Sequence, residues 1–232
     1  METLHAAWVL VTEFDPALLA IIGLSLRVSL SAVLISLIIG APLGAALAIW
    51  RFPGRQVLVV LSNAMMALPP VVVGLGVYLL LSRAGPLGEY GLLFTPNAMI
   101  IAQTVLILPI IMALTREAVA PLRREYQDLM ISLDVSPMLK LRTLLWDARF
   151  GVSTAVLAGF GRAIAEVGAV LIVGGNINGL TRVMTTTIAL ETSKGNLELA
   201  LALGAVLISI AISVNAIIYA ISQIGRKYQE IP

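Results

Sequence analysis

The chain has 232 residues and a net charge of +2, and 59% of its residues are hydrophobic while only 12% are charged. A soluble domain carries about 25% charged residues, and a chain of this size cannot bury so much apolar surface. These values exclude a water-soluble protein, and the lack of cysteine excludes disulfides, thiolate metal sites and a cysteine nucleophile.

Five apolar segments are each long enough to cross a bilayer, which takes about 20 helical residues. The sequence therefore predicts an all-α membrane protein with a single transmembrane domain over residues 1–232. The N-terminal segment 1–16 is too short to span, so we expect Trp8 to dock at the membrane surface, or a sixth, tilted or re-entrant element to form there. The five predicted spans are residues 17–50, 56–82, 95–118, 150–175 and 199–225.

The orientation follows from the basic residues of the connecting loops. Most Lys and Arg residues follow the first, third and fifth spans, whereas the other two loops hold only Arg83, Arg182 and Lys194. Basic residues accumulate on the cytoplasmic side. The sequence thus predicts the N-terminus outside and the C-terminus in the cytoplasm.

Prolines interrupt two of the predicted spans. Pro69 and Pro70 lie in the second and Pro109 in the third. Because proline removes a backbone hydrogen bond, we expect kinks at these positions. The alternative is that they line or flex a transport pathway.

Charges at membrane depth are costly and usually face a partner charge, the protein interior or water. Arg162 and Glu166 are four residues apart in the fourth span, which predicts one shared helix face. They are either a mutually neutralising pair that fixes packing or the border of a pathway, with Arg162 attracting a dianion. Arg27 is expected to reach the interface, with a substrate role as the alternative.

The long cytoplasmic loop 121–149 has the pattern of two short helices. Its first part predicts one apolar face, Asp134 lies where the chain must turn, and Ser136-Pro137 forms an N-cap and first helical residue. An interfacial loop and a docking element for a soluble partner both fit this pattern. The two predicted apolar faces are Leu122, Tyr126, Leu129, Met130 and Leu133, followed by Met138, Leu141, Leu144 and Leu145.

Residues 128–151, followed by "AGFGRAIAEVGA", resemble the cytoplasmic loop of type I ABC importer permeases. That loop reads Glu-Ala-Ala, three residues, Gly, and later Leu-Pro. Here Asp128-Leu129-Met130 matches the start and Asp134 takes the Gly position, whereas Leu-Pro is absent around Trp146-Asp147.

The resemblance extends over nearly the whole chain. The segments "LSLRVSLSAVLISLIIGAPLGAALA", "ALPPVVVG" and "RAIAEVGA" are similar to importers of the molybdate, tungstate and sulfate group. The block "GFGRAIAEVGAVLIVGGNINGLTRVMTTTIALETSKGNLELALALG" is similar to tungstate permeases. The resemblance implies the five-helix core of a type I ABC importer permease, N-out and C-in, with a cytoplasmic coupling helix pair.

In that family two permease subunits form the path, cytoplasmic ATPase subunits hold ATP and Mg, and a periplasmic or lipid-anchored binding protein delivers the substrate. The resemblance implies the same partners here, a prokaryotic inner membrane, and no nucleic acid. This chain has no G-x-x-x-x-G-K-[ST] loop, so we expect no cofactor and no ATPase activity of its own. The expected ATPase-coupling residues are Asp128, Leu129, Met130, Leu133, Asp134, Val135, Ser136 and Pro137.

The external loop 176–195 is rich in Asn, Thr and Gly. It could be a solvated connector, an outer gate or the place that receives the binding protein. Thr181, Arg182 and Thr185, Thr186 and Thr187 would suit a tetrahedral oxyanion through charge-assisted and hydroxyl hydrogen bonds.

The alternatives within the family are molybdate and sulfate permeases. A secondary transporter or channel fits less well, because no inverted repeat is visible. An intramembrane enzyme fits poorly too, since His5 and the Asp residues lie outside every predicted span.

Overall fold

The computed structural model describes residues 15–229, so the predicted interfacial segment with Trp8, and His5, lie outside the described residues. Every regular element between residues 15 and 229 is helical, with a single 3-10 turn at Gly88–Tyr90. The helices are α1 Pro16–Ile49, α2 Arg55–Met66, α3 Pro70–Leu81, α4 Pro96–Glu125, α5 Gln127–Ser132, α6 Pro137–Asp147, α7 Arg149–Ile164, α8 Gly168–Gly174, α9 Met184–Lys194 and α10 Leu197–Gln229.

Three of these helices, α1, α4 and α10, are long and apolar enough to cross a membrane. Two interrupted pairs, α2 with α3 and α7 with α8, pass the same test when each pair is taken together. The described chain therefore offers three spans, or up to five if each pair is one span. Each predicted apolar segment overlaps one of these helices or pairs.

The second predicted span contains a full break rather than a kink. Pro69 is extended, with φ −62° and ψ 128°, and Pro70 is the first residue of α3. Proline disfavours the helical conformation in the residue before it and has no N–H to donate, so two prolines in succession end one helix and start another. Pro109 does not break α4, which also continues through Pro121 to Glu125. The predicted coupling loop 121–149 therefore begins inside a long helix.

The termini of α1 are fixed by side chains. Asp15 Oδ1 accepts the N–H groups of Ala17 and Leu18, each at 2.9 Å, which caps the helix start. At the other end, Arg55 Nε donates to the Leu47 carbonyl at 2.6 Å. A basic group at the C-terminal carbonyls also matches the helix dipole.

The chain forms two compact units. The first comprises residues up to Ala32, then 69–105 and 161–214, and the second comprises 33–68, 106–160 and residues from 215 onward. In the first unit α3 packs closely on α8, because a Cβ added at Gly74 would lie 2.7 Å from Ala169 Cα. Small residues allow such close backbone approach between membrane helices.

The second unit has a similar small-residue contact between α1 and α4. Gly40 and Gly44 are spaced as G-x-x-x-G, and Gly40 lies against Leu108. A Cβ added at Gly44 would collide with the Met112 carbonyl. These glycines therefore let two long helices touch along their backbones.

Candidate functional site

The turn between α5 and α6 has the backbone geometry that the sequence predicts. Asp134 is left-handed, with φ +46°, and its N–H donates to the Ile131 carbonyl at 3.1 Å. Val135 N–H donates to the Met130 carbonyl at 3.1 Å, which closes the end of α5. Ser136 Oγ accepts the Leu139 N–H at 3.4 Å, with Pro137 first in α6. The predicted turn and N-cap are confirmed.

Several residues on both sides of this turn belong to an apolar core within the second unit. Met130 is 7% exposed, Leu144 is fully buried, and Leu122, Tyr126, Val135, Leu141 and Leu145 pack against the same cluster. Except for Val135, these side chains are members of the two predicted apolar faces. The remaining members of the cluster are Ala45, Ala48, Ile49, Val119 and Ala148.

Six large apolar side chains of the same segment are 53–72% exposed, and we call them the corner patch. Leu129, Leu133 and Met138 belong to the predicted apolar faces, but they are exposed instead of packed on the core. The helix is interrupted at Tyr126, which has φ −91° and ψ 1°, so the register of α4 does not continue into α5. The corner patch consists of Leu129, Ile131, Leu133, Met138, Leu139 and Trp146.

Polar contacts tie the two short helices together. The Asp147 carboxylate raises the pKa of the Tyr126 hydroxyl by its charge, with further contributions from burial, from Glu125 and from a Tyr126–Asp147 hydrogen bond. Arg149 lies over the Trp146 ring at 5.3 Å and donates to the Trp146 carbonyl at 2.9 Å. The Tyr126–Asp147 contact joins the start of α5 to the end of α6, and the Arg149 contacts lie where α6 meets α7.

The second group of candidate residues lies where α7 ends and α8 begins. Glu166 follows the last residue of α7, Ile164, so the expectation that it shares a helix face with Arg162 is wrong. The two charges still meet across the break, with Arg162 Nη2 at 4.0 Å from Glu166 Oε2. Glu166 Oε1 also accepts the Ala169 N–H at 3.0 Å. The carboxylate therefore has a partner on each side of the break.

The exposure of the two charges differs. The Glu166 side chain is 4% exposed and that of Arg162 is 38% exposed. Arg27 is exposed as well. Of the charged pair, only the guanidinium is thus open to a molecule outside the fold.

The threonines proposed for the oxyanion are all hydrogen-bonded within the chain. Thr181 donates to the Gly174 carbonyl at 2.6 Å, Thr185 to the Glu166 carbonyl at 2.8 Å and Thr187 to the Val183 carbonyl at 2.7 Å. The Thr186 hydroxyl lies 2.9 Å from Asn176 Oδ1. A hydroxyl has one hydrogen to donate. These hydroxyls hold the segment together in this conformation.

The two basic side chains of this segment, Lys194 and Arg182, differ in their hydrogen-bond partners. The Lys194 ammonium lies 2.9 Å from Glu191 Oε1, and this hydrogen bond lowers the pKa of Glu191, although burial acts in the opposite direction. Asn196 Nδ2 donates to the other oxygen of Glu191 at 3.0 Å. Arg182 Nε is buried and has no hydrogen-bond partner among the described residues. The charge of Arg182 also contributes to the lowered pKa of Glu191, after the contributions of Lys194 and Asn196.

Sequence reasoning missed two features near the break. Residues 184–194, predicted as part of a loop, form helix α9. Its first N–H, that of Met184, donates to Ser25 Oγ at 2.8 Å, a contact between residues far apart in sequence. The second is Gln103, a buried polar residue of the apolar helix α4, whose Nε2 donates to the Ala163 carbonyl at 3.1 Å.

No family model matches the chain. Three curated proteins are similar to it over most of its length. A probable anion ABC transporter permease protein of Haloferax volcanii is 42% identical over 205 residues, which cover 86% of this chain and 88% of the relative. The tungstate uptake system permease protein TupB of Peptoclostridium acidaminophilum is 39% identical, covering 96% and 97%. TupB of Campylobacter jejuni is 40% identical, covering 72% and 70%.

Proposed function

Because the chain belongs to the family of anion ABC transporter permeases, we propose that it is the membrane-spanning subunit of an ATP-driven tungstate importer. Two relatives about 40% identical to it carry the name of tungstate uptake permeases, which supports this substrate over molybdate and sulfate. The ATPase activity belongs to a partner subunit, and this chain supplies the path.

The observation that carries the proposal is the corner patch. Large apolar side chains on a helical segment outside the predicted spans have no lipid to cover them. Exposed apolar patches of this kind mark protein interaction sites. We assign the patch and the adjoining turn at Asp134 to the groove of a cytoplasmic ATPase subunit, so that movement of the ATPase tilts the helices attached to the corner.

The arrangement in the membrane is part of the same proposal. Each chain crosses the membrane five times, N-out and C-in, with α2–α3 and α7–α8 counted as one interrupted span each. Two copies enclose the path, and a periplasmic or lipid-anchored protein delivers the anion to the outer face of the prokaryotic inner membrane. A closed two-fold pair is the commonest assembly for such subunits.

Within the chain, the anion meets Arg182 on the outer side and Arg162 at the edge of the path, near the breaks at Pro69-Pro70 and at Glu166. An oxyanion accepts hydrogen bonds only, so it needs free donors. Arg182 has a donor without a partner, whereas the threonine hydroxyls must first release an internal bond. We therefore assign the first contact to Arg182.

Reconstitution distinguishes an ATP-driven importer from a secondary transporter or channel. The permease, its ATPase and the binding protein are placed in proteoliposomes, and tungstate uptake is followed with and without ATP. Uptake that requires ATP and both partners is the expected result. Uptake by the permease alone without ATP would contradict the proposal and favour a secondary transporter or channel.

Two measurements test the substrate and its first contact. Calorimetric titration of the cognate binding protein with tungstate, molybdate and sulfate should show tightest binding of tungstate, and tight binding of sulfate alone would overturn this assignment. Arg182→Gln should raise the tungstate concentration needed for half-maximal uptake. Lys194→Gln is the matched control, because Glu191 already neutralises that charge, and it should leave that concentration unchanged.

A further inference from the structure

A small polar cavity lies beside the α7–α8 break, within the first unit. Its wall is built from α1, α4, the end of α7 with Glu166, and the start of α9. The space open to a water-sized molecule is about 10 Å³. This is about the volume needed to seat one water molecule. The polar residues of the wall are Ser25, Ser29, Gln103, Glu166 and Thr185.

Gln103 presents an unsatisfied acceptor at this cavity. The residue is 4% exposed, and its Oε1 is buried without a hydrogen-bond partner among the residues that the structure describes. The amide orientation is fixed, because exchanging its oxygen and nitrogen would place Oε1 against the Ala163 carbonyl, which now accepts from Nε2. Buried amide oxygens in proteins almost always receive a hydrogen bond from protein or ordered water.

The hydroxyl hydrogens of Ser25 and Thr185 are already used within the chain. Ser25 donates to the Ile21 carbonyl at 2.7 Å and accepts from Met184. Thr185 donates to the Glu166 carbonyl, and the Glu166 carboxylate accepts from Ala169. Ser29 supplies the remaining hydroxyl of the wall. The cavity thus offers mostly acceptors, which suits a small occupant that can donate.

We propose that one ordered water molecule occupies this cavity and donates a hydrogen bond to Gln103 Oε1. Its second hydrogen goes to the hydroxyl oxygen of Thr185 or Ser29, both of which line the same space. A tetrahedral oxyanion is excluded here because it needs donors and more room. A metal cation is not required, since Arg162 and the Ala169 N–H already meet the charge of Glu166.

The water explains how a broken helix is tolerated at membrane depth. Backbone breaks in membrane helices persist where side chains and ordered waters replace the missing hydrogen bonds. Here Gln103 binds the end of α7 through Ala163, and the water extends this contact to Thr185 at the start of α9 or to Ser29 of α1. The water belongs to the fold of the permease and is independent of the substrate proposed above.

The test is a structure of the full-length permease with its ATPase subunits in lipid nanodiscs, at a resolution that shows buried waters. The expected result is one isolated density peak within about 2.7–3.2 Å of Gln103 Oε1. An empty cavity would overturn the proposal.

Thermal midpoints of the same complex are compared in sodium, potassium and choline chloride at equal ionic strength. Equal midpoints support water, whereas a higher midpoint with one metal ion would show that a cation binds instead.

A pair of matched variants completes the test. Gln103→Met removes the acceptor with little change in side-chain length and should abolish the density peak. Gln127→Met makes the same chemical change at an exposed position of α5 and should retain it. Persistence of the peak in Gln103→Met would show that other groups hold the molecule, contrary to the proposal.

Discussion

The corner and the α7–α8 break place their side chains in opposite ways. At the corner, large apolar groups such as Leu133 and Met138 point outward, although the predicted orientation puts them in water. At the break, polar groups such as Glu166 and Gln103 are buried, although the surrounding segments are apolar. The buried polar groups of the break are largely satisfied within the chain, whereas the exposed apolar groups of the corner are not. The polar groups of the break are thus paired within the chain, whereas the corner exposes the apolar surface that we propose for the ATPase subunit.

The largest effect is expected from the core below the corner. Leu144→Ala removes a fully buried side chain and should lower the free energy of unfolding by about 2–5 kcal/mol. Thermal unfolding in detergent measures this effect. A change below about 0.5 kcal/mol would mean that the corner is not built on this core.

The next effect tests the partner surface. Leu133→Glu with Met138→Glu places charges in the corner patch and should weaken ATPase binding by more than about 2 kcal/mol, roughly thirtyfold. Unfolding should change little, because both side chains are exposed. Co-purification of the ATPase and ATP-driven uptake are the measurements. Normal binding by the double variant would remove the patch from the interface.

At the break, two substitutions of Glu166 separate its roles. Glu166→Gln keeps an oxygen for the Ala169 N–H but loses the charge opposite Arg162, which is partly solvated, so about 1 kcal/mol of stability should be lost. Glu166→Ala also removes the cap and should cost about 2 kcal/mol. Equal effects of the two changes in thermal unfolding would show that the hydrogen bond to Ala169 contributes nothing.

The turn at the corner gives a smaller effect. Asp134 has φ +46°, a conformation that Gly, Asn and Asp adopt more readily than other residues. Asp134→Ala should therefore cost about 1 kcal/mol in unfolding free energy, while Asp134→Gly and Asp134→Asn should stay within about 0.5 kcal/mol of the parent. A loss in Asp134→Asn as large as that in Asp134→Ala would assign the effect to the charge instead.

The smallest effect appears only at high pH. Asp147 raises the pKa of Tyr126 above its ordinary value of 10.0, so the folded protein keeps this proton when the unfolded chain loses it. The contribution is complete below pH 10 and is lost as the pH rises through the folded pKa. Unfolding of the parent should therefore become easier above pH 10 relative to Tyr126→Phe. Parallel stability curves for the two proteins between pH 9 and 11 would contradict this assignment.

The corner and the α7–α8 break also differ in how well the sequence predicts them. The corner follows local rules, since a left-handed Asp134 and a Ser136-Pro137 helix start depend on adjacent residues. The prolines likewise mark the break before α3. The break at Glu166 has no such signal, because it is held by Thr185 and by Ala169 through hydrogen bonds that form only in the folded chain.

Helix α9 was missed for the same reason as the second break. Three successive threonines, Thr185 to Thr187, do not favour a helix, and the segment is fixed by a bond from Met184 to Ser25, distant in sequence. Gln103 gave no pattern at all, because a polar residue in an apolar helix does not reveal which carbonyl it binds. Features that depend on one long-range hydrogen bond are therefore the ones that a single sequence does not disclose.

The outward position of Met138 has a practical consequence. The chain contains no cysteine, so Met138→Cys would carry the sole thiol of the subunit, at a site 72% exposed at the tip of the corner. A fluorophore attached there reports on a single position without any background labelling. If the proposed ATPase subunit covers this position, the thiol should be labelled rapidly in the free permease and slowly in the complex.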